Sequence, residues 1–383
     1  MFFVLKKLQI MFLMAVFLCN ITAEATDISA NSAVVIDAVS GEILFEKNAY
    51  EKRGMASTTK IMTAIVALEK GNKEDIVEIS EKAAGVEGSS MYLKAGEKIS
   101  LENLLYGLML VSGNDAATAI AEHIAGSEEN FARLMNDKAR EIGVKSTNFT
   151  NPHGLSDDNH YTTAYDLAQI TAYGMENPVF AEIVGTKSKT IRREGLGETT
   201  LVNHNKLLKT YEGYIGVKTG FTKATGRCLV SASKRNGAKI VCVTLSAGDD
   251  WNDHRKLIDK AFEGYKTTLY QRAGTLAETV RVKGGTVDFV GGIYGEDIYL
   301  VERNEEEWTV EAEISDNLSA PVRKGDVIGK ARALHRSGKE LSFDIIAEKD
   351  VNKKVEEKRR NFNETVERIF IDWLCLFSRW INL

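Results

Sequence analysis

Residues 214–246 read YIGVKTGFTKATGRCLVSASKRNGAKIVCVTLS, and this stretch decides the fold. It holds three runs of strand character, Tyr214 to Lys218, Arg227 to Ser233 and Lys239 to Ser246. Asn236-Gly237, between the last two, is a dipeptide that tight hairpin turns favour, because both residues tolerate positive φ. A hairpin closed there pairs residues whose numbers sum to 473, with the turn at 236 and 237. That register sends Cys228 and Cys242 to opposite faces of the sheet, so a disulfide between them is not expected unless a bulge shifts it. Working outward, Ala33-Val34-Val35-Ile36-Asp37 and Glu42-Ile43-Leu44-Phe45 read as another hairpin, turned at Ala38-Val39-Ser40-Gly41. From about Ser57 to Asn177 the periodicity is helical. Within it Thr163-Ala164-Tyr165-Asp166 reads as a capping box for a helix over Tyr165 to Tyr173. Another helix is expected from about Trp251 to Leu269. Strands at both ends with helices between predict an α/β domain over 26–270, built on a single antiparallel sheet with helices on its faces.

Beyond it the texture changes. Short alternating segments such as Thr279-Val280-Arg281-Val282, Asp297-Ile298-Tyr299-Leu300 and Thr309-Val310-Glu311-Ala312, punctuated by Gly284-Gly285, Gly291-Gly292 and Asn317, predict a small all-β domain over 271–348. Residues 349–383 read as a charged linker and an amphipathic helix. Asn352 to Arg360 carries five basic and two acidic side chains. Val366, Ile369, Phe370, Trp373, Leu374, Phe377, Trp380 and Ile381 then form one continuous helical stripe, with Arg368, Asp372, Cys375, Arg379 and Asn382 opposite. Such a stripe suits a core helix or a dimer seam. Its terminal position, two Trp and basic approach favour a helix lying in the membrane surface.

Composition narrows the function classes. Of 383 residues 44% are apolar and 27% charged, which excludes wholesale disorder. The net charge of −5 makes no case for nucleic acid as a partner. The four Cys include no CxxC pair and the six His no HExxH, so neither a metal nor a redox centre is implied, and no cofactor. Residues 1–25 read as a signal peptide: Lys6 and Lys7 precede the apolar run Ile10 to Leu18, and Ala23-Glu24-Ala25 places small residues where a signal peptidase cuts. The run is shorter than the ~20 residues of a spanning helix. A retained short anchor is the alternative, and bulky Phe17 and Leu18 count against lipidation of Cys19. An exported protein is expected, at the outer face of the cytoplasmic membrane or elsewhere in the cell envelope.

Three short motifs carry the chemistry: Ser57-Thr58-Thr59-Lys60, Ser112-Gly113-Asn114 and Lys218-Thr219-Gly220. Alone, each has an ordinary reading, as a helix cap, a capping turn and a strand end. Their order and settings make them a set. Ser57 precedes the apolar run Ile61, Met62, Ile65, Val66, Leu68 and so sits at a helix N-terminus, where the dipole favours developing negative charge. The i, i+3 offset puts Lys60 on the face of Ser57. A lysine acting as base near neutrality must drop about 3 pH units, roughly 4 kcal/mol, from its reference value. Burial and a neighbouring cation can supply that, and Lys218 is the obvious cation. Ser112 offers a hydroxyl to relay a proton, and Asn114 an amide for the substrate. Lys218 and Thr219 would bind a carboxylate, and Gly220 would let a substrate backbone approach the strand.

This set resembles the S-x-x-K, S-x-N and K-T-G signature of penicillin-binding proteins and class A β-lactamases. Asn151-Pro152-His153-Gly154-Leu155, His160-Tyr161-Thr162-Thr163-Ala164-Tyr165-Asp166-Leu167 and Gly216-Val217-Lys218-Thr219-Gly220-Phe221-Thr222 are similar, more narrowly, to the low-molecular-mass penicillin-binding proteins that are serine-type D-alanyl-D-alanine carboxypeptidases. The resemblance implies a β-lactamase/transpeptidase-like domain with a helical subdomain. It implies Ser57 as acylated nucleophile and Lys60 as base, with Ser112 and Asn114 as second-motif partners. It also implies Lys218 as the substrate-binding lysine and the N–H groups of Ser57 and Phe221 as oxyanion hole. The partners implied are peptidoglycan stem peptides and β-lactam antibiotics. His153 lies in a loop that resembles a structural element of the family, and Arg255 reads as a surface arginine or a carboxylate binder. A β-lactamase is the rival reading, weakened because no E-x-x-L-N-type segment lies between Ser112 and Lys218. A catalytically silent β-lactam sensor or scaffold at the membrane surface is the third.

Overall fold

A computed structural model describes residues 27–354 and 362–381, except 194, 265, 303–307, 316–317, 337 and 339. The expected signal peptide and residues 355–361 of the linker lie outside the described residues. The chain falls into two compact units. The first takes in the chain up to Tyr270 with Tyr299–Thr309 and Leu334–Leu341, and the second Gln271–Ile298, Val310–Ala333 and the chain from Ser342 on.

In the first unit, β1 (Ser32–Asp37) and β2 (Ile43–Lys47) form the early hairpin. The late strands are β3 (Tyr214–Thr222), β4 (Gly226–Arg235) and β5 (Ala238–Ala247). All five join in one antiparallel sheet of order β2-β1-β5-β4-β3, so the two ends of this unit's chain meet in one layer. The turn at Asn236-Gly237 has both φ values positive, 47° and 84°. From Arg235↔Ala238 to Leu229↔Thr244 the β4–β5 pairs keep the register expected from that turn, which shifts only between Arg227 and Leu229. Cys228 accordingly packs in one core with Val34, Val230 and Val243, and Cys242 in the other with Val35, Leu229 and Ile240.

The helices explain why both faces are apolar. On one face sit α1 (Lys60–Lys70), α2 (Leu101–Leu110), α3 (Asn114–Ala125), α4 (Glu128–Ile142), α5 (Ala164–Glu176) and α6 (Pro178–Gly185), sharing the larger core. On the other, α7 (Asp250–Gly264) contributes Leu257, Ile258 and Ala261. The Thr163 hydroxyl caps α5 by accepting from Asp166 N at 3.0 Å. Two details depart from the sequence reading. The helix expected to reach Leu269 ends at Gly264, and Lys266–Gln271, with β-branched Thr267 and Thr268, is a strand. Between α6 and β3 an unforeseen hairpin, Ser188–Arg193 with Gly197–Val202, interrupts the chain.

The chain after Gln271 forms a six-stranded sheet, in spatial order Trp308–Ile314, Val327–His335, Glu340–Ala347, Phe289–Tyr294, Leu276–Lys283 and Leu318–Ser319. Val280 and Val282 are buried between exposed Thr279 and Arg281, the alternation of a sheet with one face inward. The terminal helix α8 (Phe362–Ile381) leaves Val366, Ile369, Phe370, Trp373, Leu374, Phe377 and Trp380 exposed. Among the described residues no helix is long and apolar enough to cross a membrane.

Candidate active site

Segments separated by about 50 to 160 residues meet at the edge strand β3. Ser57 lies in a 3-10 turn, Ala56–Thr59, that leads directly into α1. Lys60, the first residue of α1, is wholly buried, and its Nζ lies 3.1 Å from Ser57 Oγ. The same Nζ contacts Asn114 Oδ1 at 2.7 Å and the His153 carbonyl oxygen at 2.6 Å. A neutral amine has two N–H bonds and one lone pair. With two carbonyl acceptors engaging the N–H bonds, the lone pair faces the Ser57 hydroxyl.

The electrostatics agree with that arrangement. Burial, and secondly the charge of Lys218, hold Lys60 well below the ordinary lysine range, while Asp115 pulls the other way. Lys218 is buried too, and burial brings its pKa down to about 7. Its Nζ donates to Ser112 Oγ at 3.0 Å and to the Thr219 carbonyl at 2.9 Å. Ser112 occupies the break between α2 and α3 at φ 62°, a left-handed conformation that non-glycine residues adopt rarely and mostly in turns or at sites of strain. Thr219 is half-buried beside Lys218, and Phe221 is 64% exposed at the open edge.

All eight residues singled out from sequence therefore fall on these three converging segments, but two stand in unexpected surroundings. Asn114, expected to hold a substrate amide, has both ends of its own amide engaged within the protein. Its Oδ1 takes Lys60, and its Nδ2 donates to the Glu87 carbonyl at 2.7 Å. At Gly220 it is the nucleophile's own turn that comes close. A Cβ there would stand 3.1 Å from the backbone nitrogens of Ser57 and Thr58.

Several participants lie outside the three catalytic motifs. His153 acts through its carbonyl. Its ring Nδ1 accepts from Leu155 N at 3.2 Å, and its Nε2 lies 3.5 Å from Glu128. Asp115 accepts from Met91 N, Leu93 N and Ser90 Oγ, pinning the 87–93 segment that carries the Glu87 carbonyl. His204, though its side chain reaches the surface, is lowered from its usual pKa by partial desolvation and by the Lys218 charge. No sequence motif marks it. Arg255 is exposed on α7 and donates to Thr210 Oγ1 at 3.1 Å.

A family model for D-alanyl-D-alanine carboxypeptidase matches residues 19–249, and one for the penicillin-binding protein 5 C-terminal domain matches residues 265–354. A D-alanyl-D-alanine carboxypeptidase of Bacillus subtilis is 36% identical over 356 residues, covering 90% of each chain. One of Haemophilus influenzae is 35% identical, covering 79% of this chain and 80% of that one. Among solved structures, penicillin-binding protein 5 of Haemophilus influenzae superposes with TM-score 0.61 at 31% identity, over 85% of this chain and 98% of the other. A peptidoglycan synthesis regulatory factor of Streptococcus pneumoniae gives TM-score 0.67 at 27% identity, over 85% and 100%.

Proposed function

Because the chain belongs to the D-alanyl-D-alanine carboxypeptidase family, we propose that its hydrolysis of peptidoglycan stem peptides runs through an acyl-enzyme on Ser57. The protein is a serine-type carboxypeptidase that removes the terminal D-alanine, binds β-lactams covalently, and works in the cell envelope. The observation that carries the assignment of residues is the placement of a buried, pKa-lowered Lys60 against Ser57 Oγ.

In the proposed cycle Lys60 Nζ takes the Ser57 hydroxyl proton as Oγ attacks the carbonyl carbon of the penultimate D-alanine. The negative charge that builds on the carbonyl oxygen is received by the N–H groups of Ser57 and Phe221. Collapse breaks the C–N bond. The proton reaches the departing amine from Lys60 through the Ser112 hydroxyl, and D-alanine leaves. Water then attacks the ester with Lys60 again as base, and Ser57 is restored. Lys218 and Thr219 bind the terminal carboxylate, and Gly220 keeps β3 close to the nucleophile turn. Asn114 serves first to aim Lys60, and its Nδ2 reaches the substrate amide by releasing the Glu87 carbonyl.

The domain limits that go with this reading are a catalytic domain over 26–270, a β-rich domain over 271–348 and the tail over 349–383. For the tail we propose an in-plane anchor at the outer face of the cytoplasmic membrane. The seven exposed large apolar side chains of the α8 stripe, each half-buried in lipid at roughly 1 kcal/mol, would hold it firmly.

An intact-mass time course with benzylpenicillin tests the nucleophile. A persistent one-to-one adduct, absent in Ser57→Ala, followed by D-alanine release from a D-Ala-D-Ala peptide, is expected. An adduct that vanishes as drug is consumed would make the protein a β-lactamase, and no adduct would reduce it to a scaffold. For the tail, sedimentation with anionic vesicles should be lost in Trp373→Glu/Phe377→Glu. Unchanged sedimentation would reject the anchor.

A further inference from the structure

The residue ahead of the nucleophile is tightly constrained. Ala56 sits at φ 47°, left-handed backbone that an alanine holds only when its surroundings impose it. Its carbonyl oxygen is confined from two sides. Thr59 Oγ1 donates to it at 2.8 Å, and a Cβ on Gly154 would stand 1.9 Å from it, so only glycine fits at 154.

The Thr59 hydroxyl is itself fixed by His160, whose Nε2 lies 2.7 Å away. The direction of that bond follows from the other ring nitrogen. Thr150 N donates to His160 Nδ1 at 3.0 Å, so Nδ1 is the acceptor and the neutral ring carries its proton on Nε2. Nε2–H therefore donates to Thr59 Oγ1, which leaves the hydroxyl proton for the Ala56 carbonyl. Burial keeps His160 neutral, with its pKa lowered to about 4; His153 and Lys60 push the same way and Asp157 opposes.

A trans peptide is planar, with C=O and N–H pointing in opposite directions. Holding the Ala56 oxygen thus aims the Ser57 N–H, and that nitrogen faces β3 at Gly220. We propose that Thr150, His160 and Thr59 form a positioning chain that aims the Ser57 N–H into the oxyanion hole. The inference rests on the acyl-enzyme reading above. It makes Thr59 and His160 positioning residues, since neither touches the reacting atoms.

The test is the acylation rate constant of the full chain at saturating benzylpenicillin, with the final adduct fraction reporting how much protein is folded. Thr59→Val keeps the side-chain volume and loses the hydroxyl, whereas Thr59→Ser keeps the hydroxyl. His160→Gln can replace the Nε2–H donor, whereas His160→Asn replaces only the Nδ1 acceptor. Thr59→Val and His160→Asn should acylate roughly tenfold more slowly or worse, short of the roughly 10²–10³-fold that losing an oxyanion donor costs. The drug concentration for half-saturation should hold, and Thr59→Ser and His160→Gln should keep most of the rate. Thr59→Val matching wild type, or His160→Asn and His160→Gln falling equally, would overturn the proposal. A wild-type chain that forms no adduct would instead overturn the acyl-enzyme reading, and this one with it.

Discussion

Asn114→Asp changes one atom type at the point where Lys60 is held, and its effect can be worked from the geometry. The substitution puts a carboxylate oxygen where Oδ1 now sits, 2.7 Å from Lys60 Nζ. Coulomb's law at an effective dielectric constant of about 20 gives an upper bound of about 6 kcal/mol for the new attraction. Part of that is offset by desolvating the new charge, and opposite charges at close range usually move a pKa by about 1–3 units. Burial first, and the Lys218 charge second, push the Lys60 pKa down toward the neutral form that a base requires. The aspartate reverses this, and each unit of increase above the working pH removes about tenfold of the neutral base. Wherever the raised pKa exceeds the assay pH, acylation by benzylpenicillin should therefore fall, by up to about 1000-fold for a 3-unit rise. The rising limb of its pH profile should move up by the corresponding 1–3 units, with recovery at high pH. Asn114→Ala, which loses the acceptor without adding charge, should not shift the limb upward. A profile for Asn114→Asp whose rising limb does not move upward would refute the role of Lys60 as base.

Three further outcomes are expected. Lys218 must carry its proton to pair with a carboxylate, and in the free protein its pKa is about 7. The kcat/KM for D-alanine release should then decline above about pH 7, and a C-terminal amide substrate lacking this limb would confirm its origin, whereas identical limbs would reject it. His160 and His254 are buried with pKa values lowered to about 4 and about 3, against about 6.5 unfolded, so the unfolded chain takes up protons first. Their contribution is complete above about pH 6.5 and is lost as pH falls toward those values, on the order of 3 kcal/mol or more each. Urea midpoints between pH 7.5 and 4.5 should fall accordingly, less steeply in His254→Gln, and an unchanged slope in that variant would exclude its share. Arg193 binds Glu97 through two 2.7 Å contacts and donates to the Met91 and Tyr92 carbonyls at 2.9 Å. Arg193→Met strands a buried carboxylate and should cost about 3–5 kcal/mol by urea denaturation, with much of it recovered in Arg193→Met/Glu97→Met. A neutral single substitution would show that the pair is not anchoring the 87–93 segment.

How far each of these features could be read in advance depends on what kind of group carries it. Hydrophobic alternation and the Asn236-Gly237 turn are local properties, so the β4–β5 register and the opposed faces of Cys228 and Cys242 follow from the chain alone. The three motifs are likewise written in residue types, and the three-residue spacing of Ser57 and Lys60 already places amine and hydroxyl together. The groups that tune them were out of reach. The acceptors on Lys60 include the backbone carbonyl of His153, and the Asn114 amide is positioned by that of Glu87; a carbonyl belongs to every residue and marks none. The close approach at Gly220 comes from Ser57, 163 positions earlier, whereas the depression of the Lys60 pKa by burial and Lys218 was legible from the paired lysines of the motifs. Short-range preferences and side-chain chemistry were thus determined by the sequence itself. Burial, backbone acceptors and the proximity of distant segments exist only once the sheet and helices have packed, because each depends on where several stretches of chain end up together.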